Sequence, residues 1–210
     1  MSWRVEAASG SAAEFHARQL PEPLRRLVWV LDVEQPALVL GSTQRADVAD
    51  ARACAAAGVE VVRRRSGGGA VLLHPGDLWV DVLVPSSDPL WSDDVGFAAH
   101  WLGDMWAAAI GPHAFVHRGP MVRTAWSDLV CFAGLAAGEV TAGPGGPKLI
   151  GISQRRTRVG ARMQCVALRR WDAVGIVSLL HDPPGPAAQL ADAAQGVELT
   201  ADALLAHLPS

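Results

Sequence analysis

Lysine is nearly missing from this 210-residue chain: of 18 basic residues only Lys148 is lysine and 17 are arginine, so surface positive charge is carried by guanidinium groups. The abundant Ala, Gly and Pro beside this arginine excess look like a GC-rich coding bias. Cysteine is sparse and odd in number, and Cys54, Cys131 and Cys165 show no C-x-x-C spacing, which excludes a disulfide framework and a zinc ribbon. Histidines and acids form no ligand cluster; His113 and His117 are four apart but follow Gly111-Pro112, which argues against one helical face, so no metal site is expected. No apolar run of about 18 residues occurs, and Met1-Ser2-Trp3-Arg4 precedes no apolar stretch, so neither a membrane span nor a secretory leader is expected and the chain is read as cytoplasmic. Charge is low, 19% of residues, with a net value of -3, which excludes the broad positive field of a non-specific nucleic-acid binder. Half the residues are hydrophobic, enough for one packed core.

Helical patterns fall at 11–20, 47–57 and 93–110, the last with Phe97, Trp101, Met105 and Ala108 on one face. Strand patterns fall at 26–32, 36–40, 59–64, 70–74, 78–84, 128–132, 138–142, 147–154 and 162–168. Strands following one another through short turns disfavour a doubly wound parallel sheet, so the expected class is α+β with a mixed, largely antiparallel sheet and flanking helices. From about 171 the chain becomes rich in Ala and Leu, broken at Asp182-Pro183-Pro184-Gly185, which reads as a short helical cap over 171–210 on a single domain spanning 1–210.

Two segments carry chemistry. Arg63-Arg64-Arg65-Ser66-Gly67-Gly68-Gly69-Ala70-Val71 lies between two strand patterns; its glycines let amides converge on an anion, and Ser66 and the arginines add donors. An ordinary glycine hairpin turn explains the spacing equally well. A Walker loop does not, because no GK[ST] follows and the next segment reads as a strand. Further on, Pro147-Lys148-Leu149-Ile150-Gly151-Ile152-Ser153-Gln154-Arg155-Arg156 places the lone lysine on a strand, with Gly151 where a ligand could come close to the backbone. Taken alone, that lysine would be a surface residue at a strand start.

Together, in this order, the segments resemble the catalytic domain of the lipoate-protein ligase A family. Its R-R-x-S-G-G-G-x-V loop reads RRRSGGGAV at 63–71, its polar-Asp pair reads Ser127-Asp128, its K-x-x-G-x-x-Q/Y-R strand reads KLIGISQRR, and its early G-x-x-Q turn reads Gly41-Ser42-Thr43-Gln44. The resemblance implies the fold shared with biotin ligases and class II aminoacyl-tRNA synthetases, and a chain that activates lipoate or octanoate with ATP and Mg²⁺ to an acyl-adenylate. The acceptor it implies is a lysine on a lipoyl carrier domain of 2-oxoacid dehydrogenases or on the glycine-cleavage H protein. It implies Lys148 as the catalytic residue. Arg64, Ser66, Gly67, Gly68, Gly69, Ala70, Val71, His74, Asp128 and Gly151 would bind substrate and adenylate, with Val71 and Trp79 walling the acyl chain.

Three departures from the family pattern stand out. Leu73 occupies the position of the family's histidine, with His74 one residue later and therefore on the opposite face of a strand; Gln164-Cys165 stands for its His-Gly pair; and its N-terminal helix signature is not evident in SAAEFHARQL. The accessory C-terminal domain of the longer ligases of this family is not expected here, which points to a separate accessory subunit. Two alternatives stay open: an ATP-independent octanoyl or lipoyl transferase through Cys131, and a non-catalytic lipoate- or nucleotide-binding subunit. Against the first, Cys131 sits in the apolar run Leu129-Val130-Cys131-Phe132 with no histidine nearby in sequence. A biotin ligase is disfavoured because its G-R-G-R-x-G loop is missing.

Overall fold

A computed structural model describes residues 2–210. In chain order the elements are β1 (Arg4–Gly10), α1 (Ala12–Ala17), β2 (Leu27–Val33), β3 (Ala37–Leu40), α2 (Ala51–Ala56), β4 (Glu60–Arg63), β5 (Val71–Leu73) and β6 (Leu78–Pro85). Then follow α3 (His100–Ile110), β7 (Ala114–Val116), β8 (Val140–Ala142), β9 (Lys148–Arg156), β10 (Gly160–Ala167), α4 (Ala173–Ser178) and α5 (Ala201–Leu205). The strands divide between a seven-stranded sheet, order β1-β2-β6-β10-β9-β8-β7, and a three-stranded sheet, order β4-β3-β5. Only β1–β2 and β3–β4 are parallel pairs, so the expected mixed, largely antiparallel α+β class holds, with the strands shared between two sheets.

Both faces of the large sheet are covered, which is why its central strands read as continuous apolar runs. On β6, Val80, Val82 and Val84 turn toward α3, where Leu102, Met105 and the fully buried Trp106 pack on them with Met163 and Cys165 of β10. Trp79 and Leu83 turn the other way, into the core shared with Val39 of β3 and with Val71 and Leu73 of β5. Truncating a side chain as large as Trp106 in such a core costs about 3–5 kcal/mol. Among the described residues no helix is long and apolar enough to cross a membrane.

Several elements differ from the sequence expectation. The segment 128–132 is not a strand: Trp126 to Val130 make a turn, with the Leu129 and Val130 amides donating to the Trp126 carbonyl, and Cys131–Ala133 form one 3₁₀ turn. A short apolar run can be buried by a turn as well as by a strand, and its pattern does not separate the two. β1 and β7 were not expected; β1 is a mostly exposed edge strand and β7 is three residues long. α3 begins at His100 rather than near 93, because the Asp94 carboxylate and carbonyl hold residues 94–98 in a turn.

α1 is fixed at both ends. Ser11 and Glu14 form a capping box, and beyond its last turn Arg162 of β10 donates to the carbonyls of Phe15 and Arg18 while ion-pairing with buried Asp81 of β6. The C-terminal segment straps the start of β9: the Lys148 amide donates to Ala193 and the Gln195 amide to the Lys148 carbonyl. Ala12 and Phe15 of α1 and Ala194 of the strap all pack into the core between the sheets.

Candidate active site

The glycine loop connects β4 to β5 and is built around its second arginine. Arg64, 4% exposed, donates to the Gly67, Gly69 and Val39 carbonyls, so its guanidinium braces the loop from beneath. The Ala70 amide bonds to the Leu129 carbonyl, and the Ala70 carbonyl accepts from the Cys131 amide. By contrast, the amides of Gly67, Gly68 and Gly69 find no acceptor among the described residues, and all three line an open cavity of about 520 Å³. Consecutive unengaged amides at a cavity wall form an anion-binding concavity. Gly68 has φ +99°, a conformation that glycine adopts freely, and a Cβ on Gly69 would lie 2.7 Å from the Val130 and Cys131 backbone.

A second, smaller and more apolar cleft of about 40 Å³ lies between the sheets, lined by Val39, Val71, Leu73, Trp79, Phe132 and Val166. Polar side chains mark one wall. Ser66 shares hydrogen bonds with Ser153 at 2.9 Å and Gln164 at 3.1 Å, and Gln164 meets His16 Nδ1 at 3.2 Å. His16 Nε2 is buried without a hydrogen-bond partner, and burial, reinforced by Arg162 and Arg64, holds the imidazole down at about 3, so it is neutral at pH 7. Cys131, Ile152 and Ser153 border both cavities, which sets them side by side as an apolar and an amide-lined arm.

Lys148 opens β9 and is 3% exposed. Its Nζ donates to Glu139 Oε2 at 2.7 Å and to the Cys131 carbonyl at 2.9 Å, and lies 5.3 Å from the Phe132 ring centroid. The ammonium therefore lies beside Cys131, one of the residues that border both arms.

Lys148, Gly67, Gly68, Gly69, Val71, Arg64 and Gly151 line the two arms, whereas Ser66 reaches them only through its bonds to Ser153 and Gln164, and Ala70 is fully buried and lines neither. Gly151 makes room for protein rather than for ligand alone, since a Cβ there would stand 3.1 Å from the Phe132 ring. His74 lies in the β5–β6 turn with its amide bonded to Asp77, and Leu73 takes the place on the cleft wall. Asp128 points outward, paired at 2.7 Å with exposed Arg123; only its carbonyl, with that of Leu129, is bound inward by Gln44 Nε2. The G-x-x-Q turn thus ties residues 128–129 to the loop, as Gln44 Oε1 also accepts from the Gly41 amide.

The sequence reading missed Glu139, His16 and Phe132 and gave Gln164 no role on this wall. Glu139 left a trace, being the sole acidic residue between Asp128 and Asp172. Cys131, which the strand pattern at 128–132 places in an apolar strand, is half-buried at the start of a 3₁₀ turn and lines both cavities. Cys54 and Cys165 are the core cysteines, and burial pushes both thiols up.

A mixed two-sheet domain thus carries a glycine loop and a buried lysine on the wall of one cavity. The chain belongs to the lipoyl protein ligase A/B catalytic domain family, whose pattern it matches over residues 12–198. No curated protein matches it. Among solved structures it is similar to a bi-partite lipoate protein ligase from Thermoplasma acidophilum, studied with its E2 lipoyl domain, at TM-score 0.70 and 16% identity, covering 99% of this chain and 80% of that one. It is similar also to a lipoate-protein ligase A bound with ATP, at TM-score 0.68 and 17% identity, with 99% and 82% covered. A T. acidophilum protein with bound lipoic acid aligns at TM-score 0.66 and 16% identity, with 99% and 83% covered.

Proposed function

We propose that this chain is an ATP-dependent acyl ligase that activates lipoate or octanoate. The substrate carboxylate attacks the α-phosphorus of ATP and pyrophosphate leaves; the acyl-adenylate then passes its acyl group to a carrier lysine and AMP leaves. The observation that carries this reading is the pair of adjoining cavities, with an apolar arm for the acyl chain, unengaged glycine amides for the phosphate, and Lys148 beside Cys131, which borders both. An ammonium there stabilises negative charge as carboxylate and α-phosphate meet. The unit 1–210 acts as one catalytic domain, and Mg²⁺ would arrive on the ATP phosphates. The acceptor is a lipoyl carrier domain or glycine-cleavage H protein, with a separate accessory subunit assisting, and the chain works in the cytoplasm.

One observation favours a second reading: Cys131 borders both arms, where a thiol could accept an acyl group from a thioester without ATP. Mass spectrometry of a lipoyl-domain acceptor incubated with the chain and lipoate separates the two. A mass increase of one lipoyl group only when ATP is present supports the ligase; acylation from octanoyl carrier protein without ATP supports the transferase.

A further inference from the structure

Glu139 stands just before β8 and is 2% exposed. Its Oε1 accepts from the Ile152 amide at 3.1 Å, and its Oε2 accepts from the Ala136 amide at 2.7 Å and from Lys148 Nζ at 2.7 Å. Backbone donors at both oxygens fix the orientation of the carboxylate, and the carboxylate with the Cys131 carbonyl fixes the ammonium. An ammonium has three N–H groups. Two are engaged, so one remains, and Lys148 lines the cavity of the unengaged glycine amides.

We propose that Glu139 is the positioning residue of the lysine, aiming the remaining N–H at the reacting carboxylate and α-phosphate and offsetting the ammonium's charge before they meet. The inference rests on the ligase reading above. The paired carboxylate weakens the attraction of Lys148 for a substrate anion in the ground state. The lysine's contribution is thereby concentrated where further negative charge develops, the condition under which an interaction raises kcat rather than lowering KM. The chemistry calls for glutamate at 139. Glutamine would turn an NH₂ toward one of the two backbone donors, and aspartate is one methylene too short to keep these bonds from the same backbone position.

The test is a cycle of four proteins: wild type, Glu139→Ala, Lys148→Met and the double variant. Lipoate-dependent pyrophosphate release is measured for the first two, and affinity for a lipoyl-adenylate analogue with a sulfamoyl group in place of phosphate for all four. In Glu139→Ala, kcat should fall about 100-fold, as for a misplaced reacting group, while KM for lipoate changes less than about threefold. Analogue affinity should fall about tenfold in the wild-type background and not further in the Lys148→Met background, because the effect runs through the lysine. If Glu139→Ala melts below the assay temperature, Glu139→Gln, which keeps the size, goes through the same cycle under the same criteria. An equal loss of affinity in both backgrounds, a raised KM with unchanged kcat, or wild-type behaviour overturns the assignment. Failure of the wild type itself to release pyrophosphate and bind the analogue defeats the ligase reading and this inference with it.

Discussion

Gly41 lies against Gly68 with no space for a side chain: a Cβ on Gly41 would fall 1.8 Å from the Gly68 carbonyl oxygen. The turn after β3 therefore sets the height of the glycine loop, helped by the Ser42 amide, which donates to the Ser66 carbonyl at 2.9 Å. Gly41→Ala should displace the loop, cost about 1–3 kcal/mol by overpacking, and lose ATP binding. Thermal melts with and without ATP check this, and an unchanged melting temperature and ATP shift would sink the argument.

Gly67 and Gly68 should separate binding from folding. Nothing lies within 4 Å of a Cβ built on Gly67, whereas Gly68 has φ +99° and its Cβ would meet the Arg64 guanidinium at 2.9 Å. Gly67→Val is expected to leave stability within about 0.5 kcal/mol and remove ATP and acyl-adenylate binding. Gly68→Val should lose both. Calorimetric titration of Gly67→Val with ATP decides whether the loop is an anion site or a plain turn.

Lys148 is held in a buried ion pair with side-chain exposures of 3% on each partner. Lys148→Met leaves Glu139 buried beside no cation and should cost about 3–5 kcal/mol of stability, measured by denaturant unfolding. Lys148→Arg keeps the charge but brings a planar group where a compact ammonium fits, and should lower acyl-adenylate formation by about 100- to 1000-fold. Near-normal adenylate synthesis by the arginine variant contradicts the assignment of the lysine.

The hydrogen bonds of Cys131 within the site are made by its backbone, its carbonyl accepting from Lys148 and its amide donating to Ala70. Cys131→Ala keeps both bonds and should retain ATP-dependent lipoylation within about threefold, as for a side chain outside the chemistry. Trapping a hydroxylamine-labile octanoyl adduct on Cys131 from octanoyl acyl carrier protein would promote the transferase instead.

His16 should make stability fall with acidity. Burial lowers the folded imidazole from 6.5 to about 3, so between these values the unfolded chain binds a proton that the folded one does not. Its contribution is intact above pH 6.5 and erodes by up to about 1.4 kcal/mol per pH unit on the way down. His16→Gln should flatten that part of the pH–stability curve, and equal slopes for the two proteins between pH 6.5 and 4.5 would falsify the burial argument.

Periodicity and turn chemistry were local enough to be read directly. The alternating core faces of β6 and β10 come from residues adjacent in the chain, as does the glycine loop with Ser66 at its shoulder, and so does the strand that carries Lys148. Pattern could not separate a buried turn from a strand at 128–132, nor mark β1, a mostly exposed edge strand defined by its pairing with β2. The partners of the site were decided only by the tertiary structure. Glu139 reaches Lys148 across nine residues, but His16 meets Gln164 across 148 and Arg162 meets Phe15 across 147. A residue's own chemistry is written in its side chain, which is why the lone lysine and the triple glycine stood out. Whether a guanidinium braces a loop, as Arg64 does, or a carboxylate faces solvent, as Asp128 does, depends on which strands become neighbours, and long-range pairing is not encoded at any one position.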